Sequence, residues 1–480
     1  MTTITKIENV ESLTEIVFSD ILRHNWIKQQ DSNCSDNSET YHNNIPKITG
    51  ISKVKVDQGV LSDVYRVHLE YEYAITNVNG DILASSVEEE SISPTVSSTT
   101  DVSPPTAFCL YSSEKDEDAL IPADWLVKLC RPDLDLCWMI QNENIFYSRI
   151  VSSMNAETSC FARLPFTLPK FLCGSDQHLI LQEVIDVQTH PLSEGCPSDK
   201  INFLLRCMAA LHAACWESKV LLLSLNSNNN IDVEDRSSCD SLIFPAGMGQ
   251  RLPPLQKEGL FISSWQETIG HLRLRKELDT KQLDFITTLS QKLSSLKLRD
   301  IHEMVHQHRV TCVHGDYHIA NWLFPISGNR KPVLIDFATT GFDNPMIDFV
   351  FFLVASTNDT TVSNTPLFLE KYYQLLIEYD PNLTSKITLA TLQEWLPWTL
   401  LCQFMILVAY DRKCRNIAKA EQDDTKRENQ IQHFCNVNRR IVLAMSSIEN
   451  WETILSKIEA TTNKERIEVQ LHCQHTPLVI

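Results

Sequence analysis

Residues 312–353, CVHGDYHIANWLFPISGNRKPVLIDFATTGFDNPMIDFVFFL, contain the pattern that decides the fold of this 480-residue chain. Asp316 and Asn321 have the spacing D-x-x-x-x-N, and Asp336 follows the apolar run 333–335. Phosphoryl transfer needs a carboxylate that orients the acceptor hydroxyl group and hard oxygen ligands that hold Mg²⁺. The three side chains supply both kinds of group in the required order. The stretch therefore predicts phosphoryl transfer from a magnesium nucleotide.

The residues around these acidic positions narrow the class of protein. Residues 314–316 read H-G-D, and Asp336 is followed by Phe337 and alanine, without the D-F-G of protein kinases. In these motifs the chain resembles the superfamily of aminoglycoside phosphotransferases and choline kinases, and within it the ecdysteroid kinase-like branch. The resemblance extends from about residue 50 to residue 451 and is strongest in residues 312–353.

The resemblance implies a two-lobed, protein-kinase-like α+β fold. Its N-terminal lobe would be small and β-rich, and its C-terminal lobe larger and mostly α-helical. We assign residues 1–185 to the nucleotide-binding lobe and residues 186–480 to the helical lobe. The helical lobe would contain the catalytic loop, residues 313–321, and the metal-binding motif, residues 333–337.

Residue patterns agree with this order, because strand-like segments come first and helical patterns dominate afterwards. A long helical pattern covers residues 134–154. Strand patterns cover residues 54–60, 63–74, 125–130 and 179–185.

Three segments are too polar to contribute to a hydrophobic core, residues 31–44, 77–118 and 225–240. They cannot bury enough apolar surface to offset the entropy of ordering the chain. We expect disorder or long loops there. The largest segment falls between the second and third strands, where a hairpin tip tolerates insertion.

Composition excludes several classes of partner. The formal charge of −19 at pH 7 argues against nucleic acid or an anionic membrane as the main partner. The fifteen cysteines form no C-x-x-C pair, and residues 1–17 lack a signal-peptide pattern, which together predict a cytoplasmic protein with free thiols. The longest apolar run, residues 395–410, falls short of the roughly twenty residues of a membrane span, so we predict a buried helix.

Lys128 lies within the apolar run 125–130, WLVKLC. A buried ammonium group needs a charged partner or a ligand phosphate, because an unpaired buried charge is costly. The resemblance implies that Lys128 contacts the α- and β-phosphates of ATP and pairs with Glu143, which with Tyr147 matches the family pattern E-x-x-x-Y. The alternative is a strand-edge lysine and a solvent-facing glutamate. The acidic motif downstream favours the first interpretation.

Three further parts of the nucleotide site are predicted by position. Gly59 lies where the nucleotide-binding loop would turn, and Ser62 with nearby backbone amides would help to hold the phosphates. A simple hairpin glycine is the alternative. Residues 182–185 close the strand pattern 179–185 and would form the hinge, where the backbone of Glu183 and Val184 would meet the adenine. A buried strand that merely leaves the core is the alternative for these two residues.

Four residues near the catalytic motifs are interpreted as supporting or substrate-facing. His212, in the helical pattern MAALHAACW of residues 208–216, is expected to be a core histidine with a structural role. His314 and Asp348 are expected to hold the catalytic loop. His318 is in the variable part of the loop and would face the acceptor.

A rival interpretation takes His314, Asp316 and His318 as an H-x-D-x-H metal site of a hydrolase. It uses neither Asn321 nor Asp336, and we consider it weaker.

The sequence thus predicts an ATP- and Mg²⁺-dependent kinase in which Asp316 is the catalytic residue and Asn321 with Asp336 binds the metal. The acceptor would be a small-molecule alcohol. The family branch implies a steroid-like compound, while choline held by Trp395 and Trp398, or an aminoglycoside, stays open. The alternative function is a catalytically weak kinase-like scaffold, which the single-glycine loop and the polar insertions favour.

Overall fold

The computed structural model describes a defined part of the chain. The described residues are 18, 47–58, 62–72, 75–76, 82–83, 124–130, 137–151, 163–175, 178–217, 258–293, 301, 304–420, 423–448, 451 and 453–456. Gly59, residues 31–44, residues 225–240 and nearly all of residues 77–118 lie outside them. The expectations for these segments stay predictions.

The chain divides into two compact units. The first comprises Met1–Ile140 and Lys170–Glu183, and the second comprises Gln141–Pro169 and Val184–Ile480.

An antiparallel sheet of five strands forms the centre of the first unit. The order of its strands is β1-β2-β5-β7-β6, and a separate short hairpin pairs β3 with β4. The strands of this unit are β1 (Lys47–Gln58), β2 (Ser62–Glu72), β3 (Ile75–Thr76), β4 (Ile82–Leu83), β5 (Asp124–Cys130), β6 (Phe171–Gly174) and β7 (His178–Gln182).

The two faces of this sheet differ because successive side chains of a strand point to opposite sides. One face carries a hydrophobic core that includes Val67, Trp125 and Val127, with Phe18 packed at 6.3 Å from the Trp125 ring. Each such fully buried large side chain stabilises the fold by about 1.5–3 kcal/mol. The other face carries Lys128. In the sheet, Lys128 pairs with Val64 of β2 and with Leu179 of β7.

Helices dominate the second unit. The first helix, α1, begins in the first unit and continues as a π-helical segment, Phe146–Val151. The helices are α1 (Cys137–Ile145), α2 (Ser198–Cys215), α3 (Glu258–Leu274), α4 (Thr280–Leu293), α5 (Met346–Ser356), α6 (Asp359–Ser363), α7 (Thr365–Tyr379), α8 (Leu389–Ala420) and α9 (Asp424–Ser446).

The core of the helical unit is built on α5, which is buried along almost its entire length. Phe349 and Phe352 of α5 pack against Phe368 of α7, with ring centroids 5.6 and 6.3 Å apart. Helix α8 packs on α5 and contains the run 395–410, so the predicted buried helix is confirmed. Among the described residues, no helix has the length and apolar character that a membrane crossing requires.

Five short strands lie among these helices and position the catalytic motifs. Helical patterns were predicted to dominate this region, and a strand was predicted only before Asp336. The other strands were not predicted, because strands of two to four residues are too short to show a period. They are β8 (Val187–Gln188), β9 (Thr311–Val313), β10 (Trp322–Pro325), β11 (Val333–Leu334) and β12 (Gly341–Asp343). β10 lies between β8 and β11, and β9 pairs with β12.

Three predicted boundaries are also wrong, and the first of them is the start of the strand expected at residues 54–60, which begins at Lys47. The strand expected at residues 179–185 ends at Gln182, and the helix expected at residues 134–154 changes to π-helical geometry at Phe146. The fold class is confirmed, since a small antiparallel sheet precedes a larger, mostly helical unit. This is the order of the predicted protein-kinase-like fold.

Candidate active site

The predicted catalytic loop connects β9 to β10. It contains Gly315 and ends in a 3₁₀ turn, Ile319–Asn321. Gly315 has a φ of 80°, and a Cβ atom there would lie 2.2 Å from the carbonyl oxygen of Thr339. Any side chain at this position would be strained and would collide with backbone. The glycine of H-G-D is therefore required by the shape of the loop.

Asp348 of α5 fixes the first part of the loop. Its Oδ2 accepts the backbone N–H of His314 at 2.7 Å, and its Oδ1 accepts that of Gly315 at 2.8 Å. The same carboxylate is 3.1 Å from Nε2 of His212, whose Nδ1 lies 2.5 Å from the hydroxyl of Tyr372. All these side chains are buried. The contacts are those expected of an anchoring Asp348 and a structural His212.

His314 is neutral and bound on both sides of its ring. Burial lowers the pKa of His314, and this outweighs the opposing effects of Asp348 and of the bond to the Ile335 carbonyl. Nε2 donates to the carbonyl oxygen of Ile335 at 2.9 Å, and Nδ1 accepts the backbone N–H of Asp316 at 3.2 Å. Both nitrogens are therefore engaged, which argues against the H-x-D-x-H metal site.

Asp316 presents an ionised carboxylate at the centre of the loop. Its side chain is 28% exposed, so a substrate group can reach it. Burial by itself raises the pKa of Asp316, but the charge of His318 and its hydrogen bond outweigh this, with His314 and Asn321 adding to the effect. The pKa of Asp316 is lowered as a result. The Nδ2 group of Asn321 donates to the Asp316 carbonyl oxygen at 2.9 Å.

His318 lies beside Asp316, with Nε2 3.4 Å from Oδ2 of the carboxylate. Burial opposes protonation of the ring, but the charge of Asp316, the hydrogen bond to it and the charge of Asp336 raise the pKa of His318. The ring of Phe351 on α5 lies 6.0 Å from the His318 ring. Burial, Arg440 and His318 lower the pKa of His433 on α9 to about 4.

Strand pairing brings Asn321 next to Ile335, the residue that precedes Asp336. Trp322 of β10 pairs with Leu334 of β11, and the backbone N–H of Ile335 donates to the Asn321 carbonyl oxygen at 3.0 Å. Asp336 has left-handed backbone angles, φ 68° and ψ 62°. This conformation costs about 1–3 kcal/mol in a residue other than glycine and persists where surrounding structure enforces it. An amide oxygen and a carboxylate are hard ligands that fit Mg²⁺.

An aromatic cluster packs the residue after Asp336 onto the helix that carries Glu143. The rings of Phe146 and Phe337 stack at 3.9 Å, and Tyr147 meets Phe337 edge-on at 5.9 Å. Burial raises the pKa of Tyr147, and the charges of Glu143 and Asp336 raise it further.

In the first unit, Lys128 lies on the sheet face opposite the hydrophobic core. It is partly buried and pairs across the sheet with Val64 and Leu179. Ser62 begins β2, opposite Cys130. Because Lys128 belongs to the first unit and Glu143 to the second, their predicted pairing stays a prediction.

Glu183 and Val184 follow the end of β7. The backbone N–H of Glu183 donates to the Asp124 carbonyl oxygen at 3.0 Å, and its carboxylate binds the Arg66 guanidinium. The side chain of Glu183 is thus engaged within the protein, while Val184 is partly buried.

Sequence reasoning missed the threonines after Asp336 in F-A-T-T-G. Thr340 donates to the Val313 carbonyl oxygen at 2.7 Å, and Thr339 donates to that of His314 at 3.3 Å. The sequence analysis also missed Arg66, because nothing in the strand pattern around it indicates a distant charged partner. Trp395, considered as a choline-binding ring, stacks on His308 at 4.8 Å, and Trp398 is buried.

The chain was compared with models of known protein families. Residues 139–384, slightly more than half of the chain, match the model of the ecdysteroid kinase-like family. The matched range contains Glu143, the catalytic loop, Asp336 and Asp348, whereas Lys128 precedes it. None of the curated proteins matches the chain significantly in sequence.

Several solved structures resemble the chain at low identity. A microcompartment-associated aminopropanol kinase is 13% identical, with a TM-score of 0.39, and covers 86% of this chain and 95% of its own. An ethanolamine kinase of Plasmodium vivax is 8% identical, with a TM-score of 0.38, over 90% of this chain and 91% of its own. An amicoumacin kinase in complex with AMP-PNP and Ca²⁺ is 11% identical, with a TM-score of 0.36. The match covers 80% of this chain and 87% of the amicoumacin kinase.

Proposed function

The chain belongs to the ecdysteroid kinase-like family, and on this premise we propose that it transfers the γ-phosphoryl group of ATP to a hydroxyl group of a small molecule. The observation that supports this most is a chain of contacts along the catalytic loop. Asn321 donates to the Asp316 carbonyl oxygen, and Ile335, which precedes Asp336, donates to the Asn321 carbonyl oxygen. An ionised carboxylate, an amide oxygen and a second carboxylate are the groups that phosphoryl transfer with Mg²⁺ requires.

Asp316 is the proposed catalytic residue. Its lowered pKa keeps the carboxylate ionised at neutral pH, so it can accept a hydrogen bond from the acceptor hydroxyl group. The anchored loop fixes where that hydroxyl group is held. Positioning accounts for much of the catalysis of phosphoryl transfer, because the transition state requires little covalent participation by the protein.

Asn321 and Asp336 are the proposed ligands of Mg²⁺, which would offset the negative charge of the phosphates. Lys128 is proposed to hold the α- and β-phosphates, and Glu143 to orient Lys128. Gly59 and Ser62 are assigned to the phosphate loop. The backbone of Glu183 and Val184 is proposed to meet the adenine.

The acceptor is proposed to be a steroid-like or other apolar alcohol. Phe351 lies next to His318, which supports an apolar surface beside Asp316. Stacking of Trp395 on His308 covers one face of the indole and weakens the case for a choline site there.

The test is ATP consumption by the full-length chain with Mg²⁺ and a panel of sterols, other alcohols, choline and aminoglycosides. We expect transfer to at least one apolar alcohol, and we expect Asp316→Asn to bind Mg·ATP normally while losing turnover. Binding of Mg·ATP is measured in parallel by thermal shift, since a ligand that binds only the folded state raises the melting temperature. Absence of any shift in the wild-type chain would overturn the proposal in favour of a scaffold protein.

A further inference from the structure

Arg66 and Glu183 form an ion pair that crosses the middle of the first unit's sheet. Nε of Arg66 lies 2.8 and 2.6 Å from the two carboxylate oxygens of Glu183, and an Nη2 contact is 2.6 Å. Arg66 is in β2 and Glu183 follows β7, with β5 between them in the sheet. The arginine side chain therefore has to reach over one complete strand.

The pair lies on the face that carries Lys128. Arg66 is opposite Leu126 in β5, and Leu126 is opposite Leu181 in β7. Side chains two residues apart in a strand share a face, so Lys128 and Glu183 are on the same side of the sheet as Arg66. The hydrophobic core lies on the other side.

The geometry differs from that of an ordinary surface ion pair. Most exposed pairs contribute little, because two flexible side chains must be ordered in water. Here Arg66 is 50% exposed, but the Glu183 side chain is only 8% exposed. A guanidinium group that contacts both oxygens of one carboxylate fixes its orientation as well as its charge. Loss of Arg66 would leave a nearly buried carboxylate without its main partner.

This contact also restricts the backbone of Glu183. Its N–H group already donates to the Asp124 carbonyl oxygen, and the preceding Gln182 donates to the Lys170 carbonyl oxygen at 2.8 Å. With the side chain held by Arg66, Glu183 is fixed at both its N–H group and its carboxylate. The direction of the peptide group that follows is then fixed as well.

We propose that Arg66 is a positioning residue of the nucleotide site, which through Glu183 fixes the backbone of residues 183–184 that receives the nucleotide base. This inference rests on the proposed function, because it assumes that this backbone meets the adenine. Arg66 itself need not touch the nucleotide.

The test compares dissociation constants of Mg·ATP and melting temperatures without nucleotide in full-length variants. Arg66→Gln and Glu183→Gln are expected to weaken Mg·ATP binding about tenfold, as loss of one coupled charge pair implies. Arg66→Lys keeps the charge but not the planar group. Its affinity for Mg·ATP is expected to lie between that of these two variants and that of the wild type. The double reversal Arg66→Glu with Glu183→Arg is expected to recover most of the affinity.

The matched control is His68→Gln. His68 is on the same face of β2 as Arg66, and its Nδ1 lies 2.7 Å from a carboxylate oxygen of Asp124, whereas no hydrogen bond of the described residues joins it to Glu183. We expect its affinity for Mg·ATP to equal that of the wild type. Equal weakening in the control, or unchanged affinity in Arg66→Gln and Arg66→Lys with only a lower melting temperature, would reduce the pair to a structural role. If the wild type bound no Mg·ATP, the proposed function would fail, and this inference with it.

Discussion

The carboxylate of Asp348 accepts the backbone N–H groups of both His314 and Gly315, at 2.7 and 2.8 Å. A side chain of helix α5 thus fixes the start of the loop that carries Asp316. The carboxylate is fully buried and also contacts His212. Removal of this carboxylate should lower the stability of the fold, because the buried N–H groups that donate to it would lose their acceptor and could not reach water.

Asp348→Ala is therefore expected to lower the free energy of unfolding by about 3 kcal/mol and the turnover rate by about 100-fold. Chemical denaturation and an ATP-consumption assay measure the two effects. The control is Asp380→Ala, since the Asp380 carboxylate also accepts a backbone N–H, from Asn382, at an exposed turn. This change should cost about 1 kcal/mol and leave turnover unaltered. Equal turnover in Asp348→Ala and the wild type would contradict the anchoring role.

Gly315→Ala tests the shape of the loop. The new Cβ atom would lie 2.2 Å from the Thr339 carbonyl oxygen, in a backbone with a φ of 80°. We expect the change to reduce the free energy of unfolding by about 2–4 kcal/mol, because the strain of positive φ adds to a collision with backbone.

Gly328→Ala provides the matched control for this change. Gly328 has a φ of 79°, but a Cβ atom there would meet nothing within 4 Å. Only the cost of the left-handed conformation applies, about 1 kcal/mol. Urea denaturation of the two variants separates strain from collision. If both variants lost the same stability, the close approach to Thr339 would have no energetic effect.

Asp336→Asn tests the proposed metal site. Asparagine tolerates the left-handed backbone of Asp336, so the fold should be kept while the charged ligand is lost. We expect the thermal shift caused by Mg·ATP to fall to the small shift seen when EDTA removes Mg²⁺ from the wild-type assay. Asp316→Asn is the comparison variant and should retain the full shift. A full Mg²⁺-dependent shift in Asp336→Asn would exclude Asp336 as a ligand.

His178 makes stability depend on pH. Burial in β7 lowers the pKa of His178 from 6.5 to about 4. Between these values the unfolded chain binds a proton that the folded chain does not, so stability rises with pH and its contribution is complete above pH 6.5. The slope for one such proton is about 1.4 kcal/mol per pH unit. His433, whose pKa is also about 4, adds to it.

His178→Gln is expected to reduce the slope of unfolding free energy against pH between 4 and 6.5, because glutamine does not titrate. His433→Gln in the second unit is the companion variant. The double variant should show the smallest slope of unfolding free energy against pH. Denaturation curves at half-unit intervals of pH measure the slopes. An unchanged slope in both single variants would show that neither ring is held neutral in the folded chain.

The motifs and their order along the chain could be predicted without a structure. The spacing from Asp316 to Asn321 and the apolar run before Asp336 are local patterns, and they predict the loop, the strand and their chemistry. Strong patterns also predicted strands β2 and β5 and the buried part of α8. Burial of an element makes its apolar residues recur at a regular spacing or in a continuous run, which can be recognised in the sequence. The roles assigned to Asp316, Asn321, Asp336, Lys128 and Glu143 remain predictions that rest on this pattern and on family membership.

The packing of the folded chain determines which distant residues support these motifs. The contact of Asp348 with the loop, the stack of Phe146 on Phe337 and the pair of Arg66 with Glu183 each join residues more than thirty positions apart. The spacing of apolar residues along the chain cannot predict such contacts, because they depend on how separate helices and strands pack. For the same reason the left-handed conformation of Asp336 was not foreseeable, since surrounding strands and rings impose it on a residue that does not prefer it.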